Sequence, residues 1–274
     1  MFTTVSDRSA YVYHYTSAEK AIELILPEKQ LLLGSYGRTN DPKETKQWTF
    51  ALSGLGQNDP YVSIDEMSRQ VSTAIKTRAH ILCASIDSPD VKFEIGLDIH
   101  SRGFARPRMW DQYGAKHKGV CLVFLREHLN KLIEEKFPQD FRVSRQVTYR
   151  NKSFVNNLVP SDPYVINMQH LLTVGIDQYA RDHIFTHWEH LFFEKAVDWR
   201  DEHEYRWLVA NNSDEMIFLN YENSLSAIVF GQDCSEVHIK EAVRLARGSG
   251  TMFEQLKWKN SAPWLSFRMD WNSF

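Results

Sequence analysis

"YVYHYTSAEKAIELILPEKQLLLGS", residues 11 to 35, holds three elements in one short stretch. Tyr11 to Thr16 is aromatic and β-branched, the composition of a strand. Thr16 followed three residues later by Glu19 has the spacing of a capping box, in which hydroxyl and carboxylate each satisfy an orphan backbone N–H. The helix it opens puts Ala18, Ala21, Ile22 and Ile25 on one face and stops near Pro27. "QLLLGS" then reads as a second strand, so the chain opens strand, helix, strand. Outward from there, "HILCASI" (80–86) and "GVCLVFL" (119–125) read as buried strands, 126–136 as a short helix and "FRVSRQVTY" (141–149) as an alternating strand. Residues 163–196 form the longest helical candidate, with room for a break. Strands follow at 203–210, 215–219 and 226–231, and a final helix over about 235–255 ends at "GSG". Helices cluster between strands rather than alternating with them, which defines an α+β fold. No repeat, low-complexity tract or Pro/Gly/Ser linker interrupts the chain, so residues 1–274 read as a single α+β domain with a helical insertion over about 155–198.

Composition narrows the function classes. Hydrophobic residues make up 43% and charged residues 24%, as in an ordinary globular protein. A net charge of −3 advertises no nucleic-acid field. The basic stretches "RGFARPR" (102–108) and "RVSRQVTYRNK" (142–152) read as solvated loops or strand edges. The 3 Cys have no paired spacing, which argues for a reducing cytoplasm, and no apolar run suggests a leader or a membrane span. The cytoplasm is the expected location.

Several constellations carry chemistry. His14, Tyr15 and Thr16 end a strand just before a helix, where ligands commonly bind. Asn40 and Asp41 sit in "TNDPKE", either a plain turn or a loop over a pocket. Trp110 and Tyr113 lie three apart, on one face of a helical turn. His183, His187, His190 and Glu194 recur at helical spacing without the H-E-x-x-H signature, so a polar helix face is expected rather than a metal site. The window "KAVDWRDEHEYRW" (195–207) alternates beyond Asp201: Glu202, Glu204 and Arg206 on one face, His203, Tyr205 and Trp207 on the other. That face is either a surface ladder of ion pairs or a carboxylate pair facing a cleft. Glu204, deeper in the strand and beside Arg206, is the first candidate for chemistry and Glu202 its nearest rival. Glycine-rich phosphate loops, nucleophile elbows, CxxC pairs and kinase signatures are absent.

Taken together, "YHYTS", "NDPKE", "ILCASI" followed by "MWDQYGAKHKGVCLVF", "VTY", the Lys195–Trp199–Glu202–Glu204–Arg206 block and "SAIVFG" resemble a bacterial family, domain of unknown function 2971, over about residues 11 to 250. More distantly, the opening strand–helix–strand is similar to the first βαβ of the ADP-ribosyltransferase superfamily. That resemblance implies split mixed or antiparallel β-sheets with surrounding helices, NAD as substrate, and no metal. It implies a catalytic set of His14, Tyr113 and Glu204, with Glu202 as the competing carboxylate and Tyr15 or Tyr36 as other candidates for the aromatic role. It implies NAD contacts from His14, Tyr15, Thr16, Asn40, Asp41, Trp110, Tyr113, Lys195 and Arg206. In that scheme His14 and Thr16 hold ribose hydroxyls, Tyr113 or Trp110 stacks on nicotinamide, and Arg206 or Lys195 meets pyrophosphate or neutralises the second carboxylate. The implied activity is cleavage of the nicotinamide–ribose bond and transfer of ADP-ribose to a protein, DNA or RNA acceptor, as in bacterial toxins or anti-phage defence. The alternatives are a non-catalytic nucleotide-sensing or partner-binding module and an RNA-processing phosphotransferase on the same scaffold. No membrane partner is expected.

Overall fold

The computed structural model describes residues 7, 9–56, 63–91, 98–151, 162–211, 215–266 and 271. Residues 155–161 of the expected helical insertion lie outside them. The strands, in chain order, are β1 (Tyr11–Thr16), β2 (Gln30–Ser35), β3 (Ala51–Ser53), β4 (Ala79–Ser85), β5 (Val120–Leu125), β6 (Arg142–Gln146), β7 (Thr148–Tyr149), β8 (Val165–Asn167), β9 (Glu194–Lys195), β10 (Glu204–Ala210), β11 (Ile217–Asn220), β12 (Leu225–Phe230), β13 (Met252–Lys259) and β14 (Ala262–Ser266). Ten of them form one mixed sheet, in which β12 and β13 are parallel and the other neighbours antiparallel. The fold is α+β.

The sheet parts in the middle. One half runs β11–β2–β4–β10–β6 and the other β1–β5–β12–β13–β14. Along one edge, β4 pairs with β2 at His80 and Ile81 and with β1 only at Ser85, opposite Tyr13. Leu82 to Ala84 therefore have no strand partner on that edge. One carbonyl there is met by a side chain instead: His14 Nδ1 lies 3.1 Å from Cys83 O.

The packing follows this division. One face of both halves is covered by the helical run 18–28 and the helices Arg126–Lys136 and Glu236–Ala246, through Leu129, Ile133, Ile239 and Val243 against Leu82, Phe124, Trp207 and Ile228. The other face carries two separate clusters. The helices Ile64–Arg78 and Met168–Phe192 pack over β4 and β10 through Val71, Ile75, Ile184 and Leu191. Phe104, Met109 and Trp110 pack over β1, β5 and β12. Apolar burial of this kind stabilises at about 25 cal/mol per Å².

Several expectations need correction. The first helix is capped one residue later than read: Ser17, not Thr16, accepts from Lys20 N at 3.2 Å, and Thr16 closes the strand. The final helix ends at Ala246. "GSG" is a turn with positive φ at Gly248 and Gly250, and the residues after it form β13 rather than more helix. The alternation through Glu202 and His203 is interrupted, because Glu202 ends a 3-10 turn and His203 is left-handed at φ 43°. "RGFARPR" is no solvated loop: Arg102 pairs with Asp87 at 3.0 Å and Asp98 at 3.3 Å, and Arg106 donates to Ile86 O and Asp201 O. The long helix is broken at Gly175, φ 78°. His183 and His187 are buried with ring centroids 4.5 Å apart, while His190 bonds Glu194 at 2.9 Å, so the four side chains do not converge as one polar face.

Candidate functional site

Where the half-sheets part, a cavity of about 240 Å³ opens between the two clusters on the divided face. Strand register explains which residues reach it. Glu204 stands across from Ser85, and Ser85 from Tyr13, while Arg206 stands across from Cys83. All of these line the cavity. Tyr205 and Trp207, one step along, point into the core on the other face. The period-2 logic therefore holds from Glu204 onward.

An ion chain crosses the site. Arg206 Nη2 donates to Glu44, and the same guanidinium grips Glu204 with two bonds, at 2.5 and 3.0 Å. Its Nη1 donates to Phe192 O at 2.6 Å. Lys195 Nζ then bridges Glu204 at 2.8 Å and Glu202 at 2.7 Å. Tyr113 Oη closes the chain by donating to Glu202 Oε1 at 2.9 Å. The three carboxylates and two cations are each 5% exposed or less, deep enough that charge neutralisation decides whether the chain holds.

The two carboxylates of the acidic window differ sharply. Burial alone would raise Glu204, but Arg206 and Lys195 overcome it and hold the carboxyl down at about 2. Burial raises Glu202 above its ordinary value and Glu204 adds to this, with Lys195 and the Tyr113 bond opposing. Burial would lower Lys195, but Glu204, Glu44 and Glu202 outweigh it and keep the ammonium charged. Glu204 is thus a saturated anchor, and Glu202, held by one cation, is the carboxyl whose proton affinity burial raises.

His14 faces the same space. A carbonyl can only accept, so Nδ1 carries the proton donated to Cys83 O, which leaves Nε2 as an acceptor. Burial lowers the imidazole below its ordinary value, so it is neutral at pH 7.

The structure gathers most of the sequence-derived residues and sets others aside. His14, Tyr15, Asn40, Tyr113, Lys195, Glu202, Glu204 and Arg206 line the cavity. Tyr15 does so with its hydroxyl tied to Gly103 O at 2.5 Å. Thr16, Asp41, Trp110 and Tyr36 do not line it. Asp41 caps the turn Pro42–Thr45 by accepting from Lys43 N at 2.9 Å. Trp110 is fully buried, edge-on to Tyr15 at 5.1 Å, with its indole N–H given to Phe104 O. Tyr36 is fully buried and donates to Leu191 O. Of the candidate aromatics, Tyr113 alone bonds a carboxylate of the site among the described residues. Sequence reasoning missed Tyr13, Arg38, Thr39, Glu44, Cys83, Ala84, Ser85 and Met109 as lining residues.

Tyr113 is placed by an unusual turn. Ala115, Lys116 and His117 are all left-handed, at φ 50°, 54° and 67°. Each such residue costs roughly 1–2 kcal/mol. Close packing holds the turn. A Cβ on Gly119 would stand 2.2 Å from Thr16 O and one on Gly231 2.2 Å from His117 O, and His117 stacks on Trp110 at 6.0 Å.

Fold and site together define an α+β protein whose parted sheet opens on a buried carboxylate–cation chain. Residues 109–207 match the model of a family described as a protein of unknown function (DUF2971), a stretch that holds Tyr113, Lys195, Glu202, Glu204 and Arg206 but neither His14 nor Glu44. No curated protein and no solved structure matches the chain. No helix among the described residues is long and apolar enough to cross a membrane.

Proposed function

We propose that the chain is an NAD-dependent ADP-ribosyltransferase-like enzyme that breaks the nicotinamide–ribose bond, with Glu202 rather than Glu204 as the reacting carboxylate. The observation that carries this reading is the single cavity shared by His14, Tyr113 and Glu202, in which Glu202 is the carboxyl with a raised proton affinity. Cleavage of an N-glycosidic bond passes through an oxocarbenium-like state, as glycoside hydrolysis does, and a buried carboxylate beside the ribose stabilises that charge. Three carboxylates against two buried cations leave a surplus of negative charge for it. Lys195 and Tyr113 orient Glu202, and the free Nε2 of His14 accepts from a ribose hydroxyl. The parted sheet also suits the split architecture of that superfamily. At about 240 Å³ the cavity is smaller than sites for drug-sized ligands, at roughly 300–1,000 Å³, so it takes the nicotinamide-ribose end and leaves the rest at the mouth. The released ADP-ribose passes to water or to a protein, DNA or RNA acceptor.

The saturation of Glu204 favours a second reading, a nucleotide-binding module without turnover. Calorimetry with NAD and an assay of nicotinamide release separate the two. Binding with release that falls in His14→Ala supports the enzyme, binding without release supports the module, and no binding removes both.

A further inference from the structure

Along one wall of the cavity, only the charge of Glu44 enters the reading above. Arg38, Thr39 and Glu44 come from a single short segment and all line the cavity. Glu44 is fully buried, and its Oε1 accepts from Arg206 while its Oε2 has no hydrogen-bond partner among the described residues. The buried Thr39 hydroxyl also has none. Arg38 is exposed, with no ion pair or hydrogen bond among the described residues. Glu44 is held in place locally, since Asp41 caps its turn and Asp41 O accepts from Glu44 N at 2.9 Å.

A buried acceptor without a donor is costly, and a ligand that supplies the donor gains the difference. Arg206 already holds Oε1 of Glu44, so what Oε2 lacks is one donor, which a hydroxyl supplies. Thr39, which can donate or accept, suits a second hydroxyl beside the first. Arg38 adds a cation at the exposed end, suited to a phosphate. We propose that Glu44 and Thr39 read the vicinal hydroxyls of a ribose and Arg38 its phosphate, so that the cavity selects ribonucleotides over deoxyribonucleotides. This deepens the nucleotide reading above and rests on it, but not on turnover.

The test is equilibrium binding of ribose 5-phosphate and 2-deoxyribose 5-phosphate to the full chain, followed by ligand-observed NMR. Ribose 5-phosphate is expected to bind at least about 10-fold more tightly, the worth of one hydrogen bond to a charged group. Thr39→Val and Glu44→Gln should shrink that ratio to within about 2-fold, while Arg38→Ala weakens both sugars alike and keeps it. Because Glu44→Gln can disturb Arg206, its unfolding curve is compared with that of Thr39→Val, which leaves the ion chain intact. Equal affinity for the two sugars, binding of neither, or a ratio unchanged in both Thr39→Val and a folded Glu44→Gln overturns the inference. Discrimination without nicotinamide release overturns the enzyme and leaves the inference standing. Release without discrimination does the reverse.

Discussion

Lys195→Met tests the ion chain most severely. Methionine keeps most of the length of the side chain and removes the charge that bridges Glu202 at 2.7 Å and Glu204 at 2.8 Å. Glu204 keeps both bonds from Arg206, so the loss falls on Glu202, left with Tyr113 alone. Removing one partner of a buried pair costs about 3–5 kcal/mol, a large share of the roughly 5–15 kcal/mol that holds a domain folded. The proton limits this cost. Burial and Glu204 already raise Glu202, and without Lys195 it rises further. The folded variant then binds more protons than the unfolded chain, so its stability falls as pH rises. Urea unfolding at pH 8 and pH 5 should therefore show the larger loss at pH 8. Adding Glu202→Gln to Lys195→Met should recover about 1 kcal/mol or more at pH 8, because the unpaired charge is gone. A loss below about 1 kcal/mol, equal at both pH values, is what a solvated pair would give, and it would refute the buried chain.

Other perturbations test separate parts of the structure. Gly119→Ala sets a methyl 2.2 Å from a backbone oxygen and should cost about 1–3 kcal/mol or prevent folding; an unchanged melting temperature would contradict the packing of the left-handed turn. His183 donates to Pro163 O at 2.9 Å, and burial, with His187 adding, pulls it down to about 4. A lowered histidine contributes stability above its ordinary value of 6.5 that is lost as pH falls toward about 4, up to roughly 3 kcal/mol. The drop in unfolding free energy between pH 7 and pH 4.5 should be smaller in His183→Gln than in the parent chain, and equal drops would sink the assignment.

Much of the fold was legible because its strands carry strong local signals. "YVYHYT", "HILCASI" and "GVCLVFL" are apolar and β-branched, and each forms a strand within a residue of its expected bounds. β13 was hidden because "MFEQLKWK" mixes Glu, Gln and Lys and directly follows an amphipathic helix. Half of the lining residues were visible in sequence, Glu204 and Arg206 among them because strand alternation aims both at one face. Glu44 was not, since its partner Arg206 lies 162 residues away and the Asp41–Pro42 turn carries no sign of what it faces. The saturation of Glu204 was equally invisible, because it depends on Lys195 arriving from β9. Depth in a strand pointed to Glu204 as the reacting group, whereas two cations hold Glu204 and one holds Glu202.

The most direct test compares nicotinamide release from NAD by the parent chain, Glu202→Gln and Glu204→Gln, with binding measured alongside. Loss of a group that acts in the transition state lowers the rate by about 10²–10⁴. The account predicts a loss of that size in Glu202→Gln with NAD still bound, and in Glu204→Gln a loss of folding stability that exceeds any effect on the rate per folded molecule. Release by Glu202→Gln at the parent rate, or a parent chain that leaves NAD intact, would contradict it.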